Sequence, residues 1–534
     1  MNLIQTVDWA VVAPPLIAAL AAVAVLVADL FLPAGRKAPL AWAAVGGLAL
    51  AALALLPLRD GDRATFCLAD DPGLCSYAAD RFALIVQLLV LGGALVAALL
   101  SVPELRPGRS GEESGELPGG EFWFLLLSSA AGAALLPAAR DMATLIIALE
   151  VTTLPAYALV GLRRGSTVGP EAALKFFLSS VTATAVALLG ISFVYAGAGS
   201  LHLDGIAGAL PDADPRLATL AEAGVALTLV GFAFKIAAVP FHFWVPETYQ
   251  GAPLPVAGYL SVVGKTAGLA GLILVTTRAF PAFGDLWGPV LAVLAGLTMT
   301  AGNVAALRTA GEAPHSAVRL LAWSSIGQAG YLLVPIAAAG YATGGEEMSS
   351  AVGAAIAYAL MYGAVNLGAF AVLALLLQER GDGTGRRIAD FRGLYARRPL
   401  AALALAFFLL CLAGLPPGVI GLFAKVAVFR SAVDAGLGAL AVVMAVNVAI
   451  ALVYYLRWTA LLFQPAEAPV PAPFLAPAPV PVPAEEPDSE PTPVPPAPRR
   501  PLAVGGAIAL TSGIALALSG APQLILTFAG GGLL

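Results

Sequence analysis

With 534 residues, 59% of them hydrophobic and only 11% charged, the chain carries too little polar surface for a water-soluble globule. Apolar runs long enough to cross about 30 Å of hydrocarbon recur from end to end, which argues against a soluble enzyme or a nucleic-acid binder and makes the lipid bilayer the first partner. The net charge of −5 points to no other partner.

In chain order the runs predict fourteen spans, at about 9–32, 40–57, 82–102, 122–138, 142–161, 171–196, 217–248, 254–279, 286–307, 318–338, 349–378, 399–433, 437–463 and 503–529. The first run lacks a basic n-region and a small-residue cleavage site, and reads as a retained span. The seventh and twelfth are longer than one crossing needs and each contains proline, the pattern of discontinuous helices in corresponding positions of two repeats. Lys235 precedes Pro240 and Pro246 in the seventh, and Lys425 follows Pro416 and Pro417 in the twelfth. The two run in opposite directions, five spans apart. The expected fold is therefore an all-α polytopic membrane protein of about 14 transmembrane helices, with two inverted five-helix repeats, helices 4–8 and 9–13, and broken helices 7 and 12. The corresponding divisions are an N-terminal three-helix segment over 1–110, repeats over 120–280 and 286–463, a linker over 464–502 and a last helix over 503–534.

Loop charge predicts orientation: with the N-terminus outside, the inside loops and the span ends beside them hold seventeen Lys and Arg residues and the outside ones six. Both termini are then expected on the periplasmic or extracellular side. Cys67 and Cys75 fall in the first outside loop, either as a short disulfide or as two unpaired thiols. Cys411, inside a span, reads as a small buried apolar residue. Residues 464–502 contain fifteen prolines and five acidic residues, the composition of an extended, unfolded tether.

Lysine placement carries the chemistry. Of five lysines, against twenty-three arginines, four (Lys175, Lys235, Lys265 and Lys425) lie within predicted spans. A lysine can release its proton when desolvated and an arginine cannot, so a site that must cycle between charged and neutral forms needs the former. Glu150, in the middle of the fifth span, is an available counter-charge, either as half of a loading and release switch or as a static ion pair between helices. His242 lies about two turns beyond Lys235, past Pro240, and reads either as a proton relay or as a cap on carbonyls freed at the break. His202 and His315 lie in loops.

Five segments, IALEVTTLPAYALVG, FKIAAVPFHFWVPETYQGAPLPVAGYLSVVGKTAG, LAWSSIGQAGYLL, NLGAFAVL and GLPPGVIGLFAKVAVF, resemble the signature segments of subunit N of bacterial NADH–quinone oxidoreductase, respiratory complex I. The resemblance covers roughly residues 120–460. It implies redox-coupled proton pumping, with Glu150 and Lys235 paired between helices 5 and 7, Lys265 as the central relay, Lys425 toward the outlet, and Lys175 and His242 assisting. It also implies no cofactor or metal in this subunit, since FMN, the iron–sulfur clusters, NADH and quinone belong to the rest of the complex. The implied neighbours are the antiporter-like subunit M and the small subunits J and K. Lysine at 265 and the WVPETYQGAP segment favour subunit N over its paralogues L and M. Three positions depart from the pattern: Gln328 where many relatives have histidine, Gln250 where glutamate is common, and Gly264 in place of a usual proline. A multi-subunit cation/proton antiporter and a related membrane-bound hydrogenase or dehydrogenase are the alternatives with the same architecture.

Overall fold

The computed structural model describes residues 7–33, 36–69, 71–105, 117–380, 387–465 and 502–523. Its spans are α1 (Trp9–Phe31), α2 (Ala38–Leu53), α3 (Arg81–Ser101), α4 (Gly119–Leu135), α5 (Met142–Gly161) and α6 (Val168–Ala198). Next come the two parts of α7 (Ala218–Ile236 and Trp244–Gly251), then α8 (Leu254–Ala279), α9 (Gly284–Leu307), α10 (Ser316–Ala339) and α11 (Gly345–Arg380). The set ends with the two halves of α12 (Pro399–Ala413 and Val419–Asp434), α13 (Gly438–Phe463) and α14 (Leu502–Gly520). Among the described residues thirteen helices are long and apolar enough to cross a membrane. The halves of α12 are each too short to do so alone, and together they supply the fourteenth crossing.

The expected span count and both breaks are present. Most of the Pro-rich linker, and the end of the last predicted span beyond 523, lie outside the described residues. One element is not all-α: β1 (Arg63–Cys67) pairs antiparallel with β2 (Cys75–Ala79), and the Cys67–Cys75 disulfide closes this hairpin. Thiol pairing, open in the sequence, is thereby decided.

The hairpin face is stapled by buried charge. Asp80 caps α3 by accepting from the Ala83 amide at 2.9 Å. Its Oδ2 also accepts from the Arg140 guanidinium and, at 3.3 Å, from Arg278 Nη2. Arg140 is buried and donates to the Pro137 and Ala139 carbonyls at 3.1 and 2.8 Å. Burial pulls its guanidinium below the usual range and the Asp80 carboxylate opposes that pull. Removing one partner of such a pair strands the other, at a cost of about 3–5 kcal/mol. Asp80→Ala is therefore expected to lower the amount of folded protein in membranes several-fold. Asp80→Asn keeps the cap and should fall between the two, measured as detergent-solubilised monodisperse protein.

The opposite, arginine-rich face has ion pairs of its own, among them Arg163 with Glu104 at 3.4 Å and Arg387 with Asp390 at 3.0 Å. Between the two faces the helices pack through small residues, as membrane helices must when lipid offers no hydrophobic drive to associate. The approach that matters most for function is α8 on α7, where a Cβ on Gly268 would lie 2.8 Å from the Lys235 Cβ.

Candidate functional site

The break in α7 forms because the helix ends in a left-handed residue. Ala237 has φ +64°, its amide donates to the Phe234 carbonyl at 3.0 Å, and the Ala238 amide donates to the Ala233 carbonyl at 2.9 Å. The groups this frees are taken up by protein: the Val239 amide donates to Thr298 Oγ1 at 2.9 Å and Trp244 Nε1 to the Phe234 carbonyl at 3.3 Å. Left-handed backbone costs a non-glycine residue about 1–2 kcal/mol. Ala237→Gly should relieve that cost and raise the thermal unfolding temperature, whereas Ala237→Val should lower it.

Lys235 lies in the last turn of the first part of α7 and is buried, its Nζ donating to Ser180 Oγ on α6 at 2.7 Å. The carboxylate expected beside it stands apart: Glu150 Oε1 accepts from Thr184 Oγ1 at 2.6 Å, and no salt bridge joins Glu150 to Lys235 among the described residues. Ser180 and Thr184 are one turn apart on α6, about 6 Å along its axis. The expected direct pair is thus spaced by two hydroxyls, and each hydroxyl can accept from one neighbour while donating to another.

Lys265 opens the regular part of α8 directly after a π-helical turn over Leu260–Gly264. Gly264, the departure noted in the sequence, ends that turn. Lys265 Nζ donates to the Ser325 carbonyl at 2.5 Å and to Ser325 Oγ at 2.6 Å on α10. A polar stripe on α11 continues from there. Tyr362 donates to Ser325 Oγ at 2.8 Å, Asn366 Nδ2 to Ser261 Oγ at 2.7 Å, and the Tyr358 hydroxyl to Gln328 Oε1. Residues 358, 362 and 366 recur every four positions and so share one face.

Lys425 solves the problem of the second break. Its Nζ reaches back across the gap to donate to the Leu412 and Ala413 carbonyls at 2.9 and 2.7 Å, the last carbonyls of the first half of α12. A cation there satisfies orphan acceptors and meets the negative end of the half-helix dipole. Gly414, at φ +87°, turns the chain away immediately afterwards. The halves can lie this close because position 421 has no side chain: a Cβ there would sit 1.7 Å from the Cys411 carbonyl oxygen. Lys235 precedes its prolines and Lys425 follows its own, yet both ammonium-bearing side chains belong to the junction at the end of a first half-helix.

A cavity of about 20 Å³, room for about one water, is lined by Gln328, Tyr358, Tyr362 and Lys425 among others. Tyr362, which donates to the Ser325 hydroxyl beside Lys265, shares this wall with Lys425.

The other two expected residues lie off this row. Lys175 is half exposed near the arginine-rich face, with Nζ 2.9 Å from Glu171 and 2.6 Å from Glu247. His242 occupies the α7 break with its ring 5.6 Å from that of Trp323, and its Nδ1 is buried without a hydrogen bond. Sequence reasoning overlooked Ser180, Thr184, Ser325, Tyr358 and Tyr362. The spacing of Tyr358, Tyr362 and Asn366 within an apolar span was a readable signal.

A bundle with two broken helices, buried lysines on α7, α8 and α12, and hydroxyl-lined links between them defines an antiporter-like membrane protein. Residues 139–451 match the family described as NADH:quinone oxidoreductase/Mrp antiporter, TM. NADH-quinone oxidoreductase subunit N 2 of Streptomyces griseus is 61% identical over 99% of this chain and 94% of its own length. Subunit N of Salinispora tropica is 47% identical over 88% of each. In solved structures, a chain of respiratory complex I from Thermus thermophilus superposes with a TM-score of 0.72 at 32% identity, covering 97% of this chain and 100% of that one. A chain of the Mrp complex from Dietzia superposes with a TM-score of 0.78 at 24% identity over 97% and 96%, which shares the fold. The chain belongs to the subunit N family of NADH–quinone oxidoreductase.

Proposed function

We propose that this chain is the proton-translocating membrane subunit its family membership indicates, and that Glu150, Lys235, Lys265 and Lys425 carry the protons. NADH oxidation, FMN, the iron–sulfur clusters and quinone reduction reside elsewhere in the complex. The observation that carries this reading is the burial of Lys235, Lys265 and Lys425, at 5%, 1% and 6% exposure, with no carboxylate in contact with any of them among the described residues. A buried ammonium held only by hydroxyls and carbonyls is a poor structural brace, and is what a site that charges and discharges requires. Lys175, between two carboxylates, gathers protons at the mouth, and His242 assists at the break.

The arginine-rich face is cytoplasmic in this reading, and the disulfide hairpin faces the oxidising side. Glu150 is only half buried, beside the outward-facing Ile147, Val151 and Leu154. Lipid against a carboxylate at that depth would be costly, so a neighbouring membrane subunit, of type M, J or K, covers this face. The two repeats over 120–280 and 286–463 each supply one broken helix.

Lys265→Ala tests the relay at its centre. In membrane vesicles, at matched levels of assembled complex, NADH-driven proton uptake should drop as far as it does for any other residue in the row. Uptake equal to wild type would exclude Lys265 from the path.

A further inference from the structure

Beyond the row, a second set of buried polar groups joins α9, α10 and α13. Tyr454 on α13 donates to Asn303 Oδ1 on α9 at 3.0 Å, and Asn303 Nδ2 donates to Asn447 Oδ1 at 3.2 Å. Asn447 in turn donates to Thr300 Oγ1 at 3.0 Å. The rings of Tyr454 and Tyr455 lie 4.4 Å apart, Ser324 Oγ is hydrogen-bonded to the Tyr455 hydroxyl and adjoins that of Tyr454, and Gln328 Nε2 donates to Tyr455 at 3.4 Å. Asn303, Ser324, Gln328, Asn447, Tyr454 and Tyr455 are all buried. Neither the packing of three helices nor the lysine row needs so many polar groups at membrane depth, where each must be satisfied.

The two ends of this set are open to different spaces. One end is Tyr454, in the wall of a cavity of about 250 Å³ that lies on the arginine-rich face and is also lined by Ala306, Thr309, Glu312, Arg392 and Arg457. The other end is Gln328, in the wall of the 20 Å³ cavity that contains Lys425. The larger cavity admits several waters, and Glu312 places a carboxylate among its lining groups.

We propose that the α9–α10–α13 polar set is a proton inlet from the arginine-rich face, separate from the first repeat, delivering to the junction between Lys265 and Lys425. The proton moves by exchange along O–H groups: water in the cavity, Tyr454, Ser324 and Tyr455. The Gln328 amide donates N–H bonds but does not pass a proton on, so the last step crosses water in the small cavity, where Tyr358 and Tyr362 are the neighbouring hydroxyls. From there Lys425 accepts it directly, or Lys265 receives it through Tyr362 and Ser325. No bond other than O–H and N–H is made or broken. An anionic lipid headgroup drawn to Arg392 and Arg457 would use the larger cavity but not the buried hydroxyls.

This inlet rests on the relay reading above, and Lys425→Ala serves as its internal reference. In vesicles with matched assembled complex, Tyr454→Phe removes one hydroxyl and keeps the ring, while Ala306→Phe fills the cavity. Both should reduce NADH-driven proton uptake to within about twofold of the level left by Lys425→Ala. Leu297→Phe, which adds a ring on the exposed side of α9, should pump normally. Normal uptake in Tyr454→Phe and Ala306→Phe, with Lys425→Ala impaired, would overturn the inlet and leave the relay standing. Normal uptake in Lys425→Ala would overturn the relay and the inlet with it.

Discussion

Lys235→Arg is expected to remove this subunit's whole share of proton pumping even though it preserves the charge. Arginine stays protonated under all conditions a membrane survives, so position 235 can no longer release what it binds. Packing adds a second penalty. The amine meets one hydroxyl, Ser180 Oγ at 2.7 Å, and the face of Phe234, whose centroid is 5.9 Å away. A guanidinium brings five N–H donors into that space, and each one left unsatisfied in a buried site costs about 1–3 kcal/mol. Lys235→Ala should pump equally poorly but assemble better, because it removes a buried charge instead of enlarging one. The measurements are protons translocated per NADH oxidised and the yield of assembled complex; an unchanged ratio in Lys235→Arg would remove Lys235 from the mechanism.

Lys425→Glu should be worse than Lys425→Ala. From the sequence alone a glutamate is expected to retain partial pumping, since it keeps a titratable group in the helix. The structure reverses that expectation. Position 425 faces two carbonyl oxygens, Leu412 and Ala413, and an ionised carboxylate has no proton to donate to either. It would also place negative charge at the negative end of a half-helix. Lys425→Gln separates structure from chemistry: its amide can donate to the same carbonyls, so the complex should assemble close to wild-type levels while proton uptake stays as low as in Lys425→Ala. Wild-type pumping in Lys425→Gln would show that position 425 only holds the break together.

Both results depend on one common design. At each break the half-helix ends in a left-handed residue, Ala237 or Gly414, and a lysine lies at that end. In α7 the lysine belongs to the first half and turns to α6. In α12 it belongs to the second half and turns back to the first. The sequence asymmetry between the repeats is thus a difference in which half donates the lysine.

Sequence by itself determined what the bilayer dictates. Hydrocarbon thickness sets span length, so fourteen crossings could be counted; proline cannot continue a helix, so α7 and α12 could be seen as broken; and the cost of an ammonium in lipid singled out Lys235, Lys265 and Lys425, together with Lys175, which the structure leaves half exposed. Tertiary structure alone decided what each lysine touches. The rotation of a helix about its axis is set by its neighbours, and in a span that is apolar all round no hydrophobic face reveals it. Ser180 and Thr184 on α6, Ser325 on α10 and the Tyr358, Tyr362 and Asn366 stripe on α11 are therefore legible as polar residues but not as partners. Glu150 and Lys235 illustrate the same limit, since helix spacing fixed by α6 put two hydroxyls where a direct ion pair was expected. The hairpin Arg63–Ala79 escaped because its two strands are five residues each, shorter than the window over which a membrane span declares itself.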